Sequence, residues 1–319
     1  MPLKERIVNN RIINNLLLFA QTASLPGFGN VSLYNVGLFF FEEIMRDSIN
    51  IRAASIAYNL FLAFFPLTIF LFTLIPYIPI DNLEAELLHF MNELLPDYTY
   101  KTIEATIQDI VNIPRRGLTS VGFLLALFFA SNGVSSMIEA FEKDNSAFKN
   151  EVFYIKKLKA IGITILLTLI LLVTIVLIIG GQLVLNKIIT VLNIEDGIVH
   201  YLLLFVQFLT FFFLTLNSIA LIYYLAPSVK DRWSFFSPGV TFTTVVVLLT
   251  TYGFTFFINN FNSYNRVYGS IGAIMAVMLL IYLFSLFLII GFELNASIAL
   301  NKSLGNKLDK KILTPDDFL

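Results

Sequence analysis

Three charged side chains stand at the margins of long apolar runs: Arg52 opens the run to Pro79, Glu139 closes one that begins near Leu118, and Glu293 lies near the end of one that begins at Ser270. A charge held at membrane depth costs roughly 3 kcal/mol on insertion scales, so each is expected to be paired or wet. A cation and a carboxylate so placed can bind an anionic group, carry a proton or tie helices together. Asn59, Asn132, Ser135, Ser136, Asn217, Tyr223 and Asn295 lie at comparable heights, counted from the ends of their runs. Together with Arg52, Glu139 and Glu293 they read as a polar vestibule open to the cytoplasm. An interfacial ion pair that anchors helices accounts for the charges equally well, and small polar side chains often serve as interhelical glue.

Other chemistry finds little material. The chain has no cysteine and two histidines, His89 and His200, far apart in sequence. No His-x-His or Asp-x-Asp spacing offers a metal site, and no basic-aromatic platform offers a surface for RNA. Neither enzyme activity, nor a metal or cofactor, nor a nucleic-acid partner is expected.

Of 319 residues, 57% are hydrophobic and 13% charged, against about 25% charged in ordinary soluble domains. That composition describes an all-α polytopic membrane protein. At about 1.5 Å per residue, Ala53 to Pro76 crosses a hydrocarbon core of roughly 30 Å. Five further spans are expected near 118–138, 160–181, 201–226, 238–258 and 270–297. Pro66, close to the middle of the first, removes a backbone hydrogen bond and predicts a kink or break.

The remaining segments are polar. Residues 1–50 are expected to lack a cleavable signal and to carry two amphipathic helices, Leu3–Ala23 and Ser32–Asp47, lying on the membrane surface or packed against other helices. Residues 81–114 hold seven acids and one base, Lys101, around Pro96, and read as a small helical cap on one membrane face. Residues 51–300 form the membrane domain, and 301–319 a short mobile tail. Sixteen of the 21 Lys and Arg residues fall in 1–52, 139–159, 227–237 and 298–319, all on one side of a six-span topology. That bias predicts a multi-pass protein of the bacterial inner membrane with both termini cytoplasmic and the acidic cap outside.

Between the fifth and sixth spans, Asn259–Ala273 (NNFNSYNRVYGSIGA) suits a tight, irregular turn. Ser270 would then start the last helix, with free N–H groups near Arg266 favouring an anion. Pro66, Tyr264, Arg266, Tyr268, Gly269 and Gly272 form a candidate hinge and outer gate; a turn that only sets helix geometry explains them as well.

RAASIAYNLFLAFFPL (Arg52–Leu67), ASNGVSSMIEAFEKDN (Ala130–Asn145), LIYYLAPS (Leu221–Ser228), Pro238–Gly239, and SYNRVYGSIGA through GFELNA (Ser263–Ala296) together give the chain a resemblance to the YihY / virulence factor BrkB family. It covers roughly residues 35–300 in the family's order. The resemblance implies a six-helix bacterial inner-membrane protein and does not settle an activity, since transport, lipid export and an older ribonuclease BN label all attach to the family. SNGVSS stands where other members often have an aromatic-rich second span.

Three functions follow. A transporter or flippase working by alternating access would use Arg52 to contact an anionic substrate and Glu293 or Glu139 to balance it or carry a proton. A scaffold or envelope-integrity protein would use the amphipathic segments and cap to bind partners. A ribonuclease has least support. Partners are membrane lipids and an unknown polar or anionic substrate, with self-association left open.

Overall fold

In the computed structural model, residues 21, 23, 32–46, 49–74, 116–144, 147–192, 196–260 and 262–312 are described. The cap expected over 81–114 and, apart from residues 21 and 23, the helix expected over Leu3–Ala23 lie outside them. The described residues form seven helices: α1 Leu33–Arg46, α2 Ile49–Leu74, α3 Arg116–Ala140, α4 Phe153–Leu192, α5 Asp196–Leu225, α6 Pro238–Asn260 and α7 Asn262–Ile312. They contain no strand beyond one isolated bridge. Six of the helices, α2 to α7, are long and apolar enough to cross a membrane, which makes the chain a multi-pass membrane protein.

Helix α1 starts at a serine cap, where the Asn35 N–H donates to Ser32 Oγ at 3.3 Å. Its one fully buried side chain among those described, Val36, packs with Ile298 and Leu294 of α7. Phe41 and Met45 point outward. The helix therefore rests against α7 and leaves an apolar edge uncovered by the other described residues.

In α2, Ile49, Ala53, Ile56, Ala57, Ala63 and Phe70 recur at helical spacing and are buried. Small residues let α3 approach closely: a Cβ on Gly133 would stand 2.6 Å from Leu60 Cδ2. Of the kink or break expected at Pro66, the break is absent, since α2 runs on to Leu74 with the proline inside it. Membrane helices tolerate an interior proline where surrounding groups meet the freed carbonyl.

Hydroxyls along the spans are largely satisfied within their own helices. Thr164, Thr168, Thr174, Thr210, Thr250, Thr251 and Thr255 each donate to the carbonyl four residues back, at 2.7–2.9 Å. This is how a polar side chain sits at membrane depth without a partner helix.

Helix limits differ from the expected spans at several ends, among them those of α4, which runs to Leu192 rather than near 181, and α5, which begins at Asp196 rather than near 201. Helix α4 begins at Phe153 rather than near residue 160, because Lys156, Lys157 and Lys159 interrupt the apolar run but not the helix. The described residues of the irregular turn expected over Asn259–Ala273 are helical: α6 ends at Asn260 and α7 begins at Asn262. Tyr264, Val267, Tyr268 and Ile271 keep a helical apolar spacing that the neighbouring asparagines obscure. Ser270 is therefore interior to α7 and offers no free helix terminus, and residues 301–312 of the expected tail continue α7.

Candidate functional site

The start of α2, the ends of α3 and α5, the starts of α4 and α6, and the Glu293 region of α7 converge at one end of the bundle. Glu293 is 0% exposed there. Arg52 Nη2 donates to its Oε1 at 2.8 Å, and Lys143 Nζ lies 2.9 Å from Oε2. Arg52 Nη1 also donates to the Ala140 carbonyl at 2.6 Å, on the last residue of α3. That carbonyl is one of the four a helix leaves without an internal partner, and it carries the negative end of the helix dipole. Arg52 thus joins α2 to both α3 and α7, while Lys143 brings the α3–α4 loop onto the same carboxylate.

Aromatic rings stand around this cluster. Phe292, next to Glu293, stacks on Phe141 with centroids 4.4 Å apart and planes 13° apart. Phe148 and Trp233 approach Phe292 at 6.0 and 5.7 Å, and Phe141 meets Tyr223 edge-on at 5.9 Å. The loops that carry Phe148 and Trp233 are clasped by backbone bonds: Lys149 N–H donates to Ser228 O at 2.7 Å and Lys230 N–H to Ala147 O at 2.9 Å.

Asn295 lies half a turn beyond Glu293. Its Oδ1 accepts the Gly239 N–H at 2.8 Å and its Nδ2 donates to Ser237 Oγ at 2.8 Å, so it caps the first turn of α6 from a different helix. Tyr223 donates to the Leu288 carbonyl at 2.6 Å and shares a bond with Thr243 Oγ1 at 2.8 Å.

A second polar group lies on α3. Asn132, Ser135, Ser136 and Glu139 follow the i, i+3, i+4, i+7 spacing of one helix face. Asn59 of α2 donates to Ser136 Oγ at 2.9 Å. Lys157 of α4 donates to Asn132 Oδ1 at 2.7 Å and Ser135 Oγ at 3.4 Å.

The expected vestibule residues therefore divide into two groups. Arg52 and Glu293 meet at the charge cluster, with Tyr223 and Asn295 packed about it. Asn59, Asn132 and Ser135 belong to the α3 face, and Glu139 lies exposed at its outer end. Asn217 joins neither, since its amide donates to Phe213 O of its own helix at 2.6 Å. Of the candidate hinge, Pro66 is half-buried inside α2 and Gly272 is buried inside α7. The side chains of Tyr264, Arg266 and Tyr268 lie outside the described residues, and Gly269 is helical. Sequence reasoning missed Lys143 and Lys157 as site residues, because both counted only as loop charges. It also missed Phe292, although this residue lies within GFELNA. Among the described residues no three His, Asp or Glu side chains gather as a metal site would require.

The fold and its buried charges define a multi-pass helical membrane protein organised around an ion cluster at one end. The sequence profile of the family described as Virulence factor BrkB matches residues 40–312, and the chain belongs to that family. YfkH of Bacillus subtilis (strain 168), described only as a ribonuclease-like protein, is 27% identical over 264 residues, covering 79% of this chain and 91% of YfkH. No solved structure matches the chain.

Proposed function

We propose that this protein moves a polar or anionic amphiphile across the bacterial inner membrane, with both termini in the cytoplasm and the charge cluster at the cytoplasmic end. The observation that carries this reading is Glu293, fully buried and held by cations from two other elements. Such a carboxylate is a latch. An anionic substrate competing for Arg52 and Lys143, or a proton taken up by Glu293, removes the attraction that holds α7 against α2 and the α3–α4 loop. The uncompensated charge left behind favours an open, wetter arrangement. The aromatic cover and the loop clasp stand where that opening would occur. Sixteen of 21 basic residues on this side support the orientation.

A scaffold without transport is the second reading, favoured by Asn217 and the threonines that bond within their own helices. We assign the chain no ribonuclease activity; that description belongs to its relative.

The absence of cysteine allows single cysteines at Asn59, Asn132, Asn217 and Glu293 to be tested in intact cells with a small polar thiol reagent. Under transport, positions 59 and 132 react from the cytoplasmic side, position 293 reacts as well because its cysteine has removed the latch carboxylate and opened the cluster, and 217 stays protected. Protection of 59, 132 and 293 alike, with a cysteine at exposed Lys149 labelling normally, favours the scaffold.

A further inference from the structure

We propose that the outward face of α3, with Asn59 of α2 and Lys157 of α4 at its flanks, binds the headgroup of an aminophospholipid, its phosphate at Lys157 and its ammonium at Glu139. Lys157 differs from its neighbours. Lys156 pairs with Glu142, Lys159 with Glu151 at 2.7 Å and Lys143 with Glu293 at 2.9 Å. The Lys157 ammonium meets only the neutral oxygens of Asn132 and Ser135 among the described residues. An ammonium has three donors, so one remains, and a phosphate oxygen would make the charge-assisted bond that a neutral acceptor cannot.

The face itself has the order of a lipid. Val121, Leu125 and Phe128 are exposed apolar side chains on α3. They lead at spacings of four and three residues into Asn132, Ser135, Ser136 and finally exposed Glu139. One track, exposed at Val121, Leu125, Phe128 and Glu139 and half-buried at Asn132, Ser135 and Ser136, therefore changes from apolar to polar along its length, as an acyl chain changes to a headgroup. A free phosphate ion would use the polar part only, whereas a phospholipid uses both. Asn132, which fixes the height of the lysine ammonium, lies about 10 Å along the helix from Glu139. The cation is therefore the deeper charge and the carboxylate the outer one. In a phosphoethanolamine headgroup the phosphate is likewise deeper than the ammonium. Tyr58 on α2 and Tyr154 on α4 are both exposed, matching the preference of tyrosine for the headgroup region.

This inference deepens the transport reading by naming its substrate class and rests on that reading only for the claim that the lipid is carried. Binding and movement are therefore measured separately on the full chain. Binding is read by native mass spectrometry with phosphatidylethanolamine and phosphatidylglycerol in equal amounts. Movement is read as dithionite protection of a fluorescent phosphatidylethanolamine in proteoliposomes. We expect wild type to retain phosphatidylethanolamine over phosphatidylglycerol. Lys157→Gln should lower retention of both by about fivefold, and Lys157→Arg should restore most of it. Glu139→Gln should remove the preference between the two lipids, and Lys149→Gln should leave binding unchanged. Equal retention by wild type, Lys157→Gln and Lys149→Gln marks bulk annular lipid and overturns the site, whatever the flux. Normal binding with no protein-dependent flux leaves the site standing and overturns the transport reading.

Discussion

Arg52 and Glu293 are 241 residues apart in sequence and 2.8 Å apart in space. The Arg52 side chain is 18% exposed and that of Glu293 0%, so solvent screens the pair weakly. Truncation to Arg52→Ala leaves the carboxylate with Lys143 alone and the Ala140 carbonyl without its guanidinium. Breaking a buried pair in this way costs about 3–5 kcal/mol. The expected result is a clear fall in the thermal unfolding midpoint in detergent. The double variant Arg52→Leu/Glu293→Leu should regain part of it, because it removes the stranded carboxylate while taking from Lys143 its contact at 2.9 Å. Equal losses in the single and double variants would show that the pair is not what holds α2 to α7.

Gly291 lies where α7 packs closely on α6, and an added Cβ there would collide with Thr243 Oγ1. In a helix interior Gly→Ala ordinarily gains up to about 1 kcal/mol. Here forced overpacking, typically about 1–3 kcal/mol, opposes that gain, and Tyr223 Oη, bonded to Thr243 Oγ1 and 2.6 Å from the new methyl, crowds it further. Gly291→Ala is therefore expected to destabilise, and Gly291→Ala/Thr243→Ala to recover part of the loss. A stabilised single variant, measured by the same thermal assay, would refute the close approach.

Asn295→Ala removes a cap that α6 receives from α7 rather than from its own chain. The Gly239 N–H and Ser237 Oγ both lose their partner. Loss of an N-terminal cap costs about 1 kcal/mol, within a range of roughly 0.5–2. Asn295→Asp, which keeps the acceptor for Gly239, should cost less than the alanine. Amide exchange at the start of α6 should rise in Asn295→Ala and barely change in Asn295→Asp.

These relationships show which coordinates of a side chain a sequence conveys. Apolar runs and the bias of basic residues give the spans and the height of each polar group along them. They do not give the direction in which it points around its helix. Glu139 and Glu293 both lie near the ends of spans on one side, yet packing buries the second against Arg52 and leaves the first exposed. Asn217 matches Asn59 in height but turns onto the Phe213 carbonyl of its own helix. Lys143 and Lys157 were legible as topology signals and illegible as partners of Glu293 and Asn132, because those pairings depend on which helices become neighbours. The start of α7 was hidden for a local reason: asparagines and glycines signal turns, while the apolar spacing through Tyr264 and Ile271 continues a helix.

The clasp over the charge cluster carries its own reporter, since Trp233 is the chain's one tryptophan. Its ring meets Phe148 edge-on at 6.4 Å and Phe292 at 5.7 Å, and Phe148 sits in the loop held by the Lys149 and Lys230 backbone bonds. Removing a buried phenylalanine ring costs about 3–5 kcal/mol if the site does not collapse. In Phe148→Ala that loss falls on the contact between the two loops. The clasp should then open more often and let water reach the indole. The expected readout is a red shift of Trp233 emission and faster quenching by acrylamide, with the helical content of the membrane domain retained. Arg232→Ala removes the cation over Tyr224 without touching the Phe148 contact, and should leave both properties near wild type. If Phe148→Ala and Arg232→Ala shift the emission equally, the indole is reporting general loosening of that end, and the two loops do not act as a clasp.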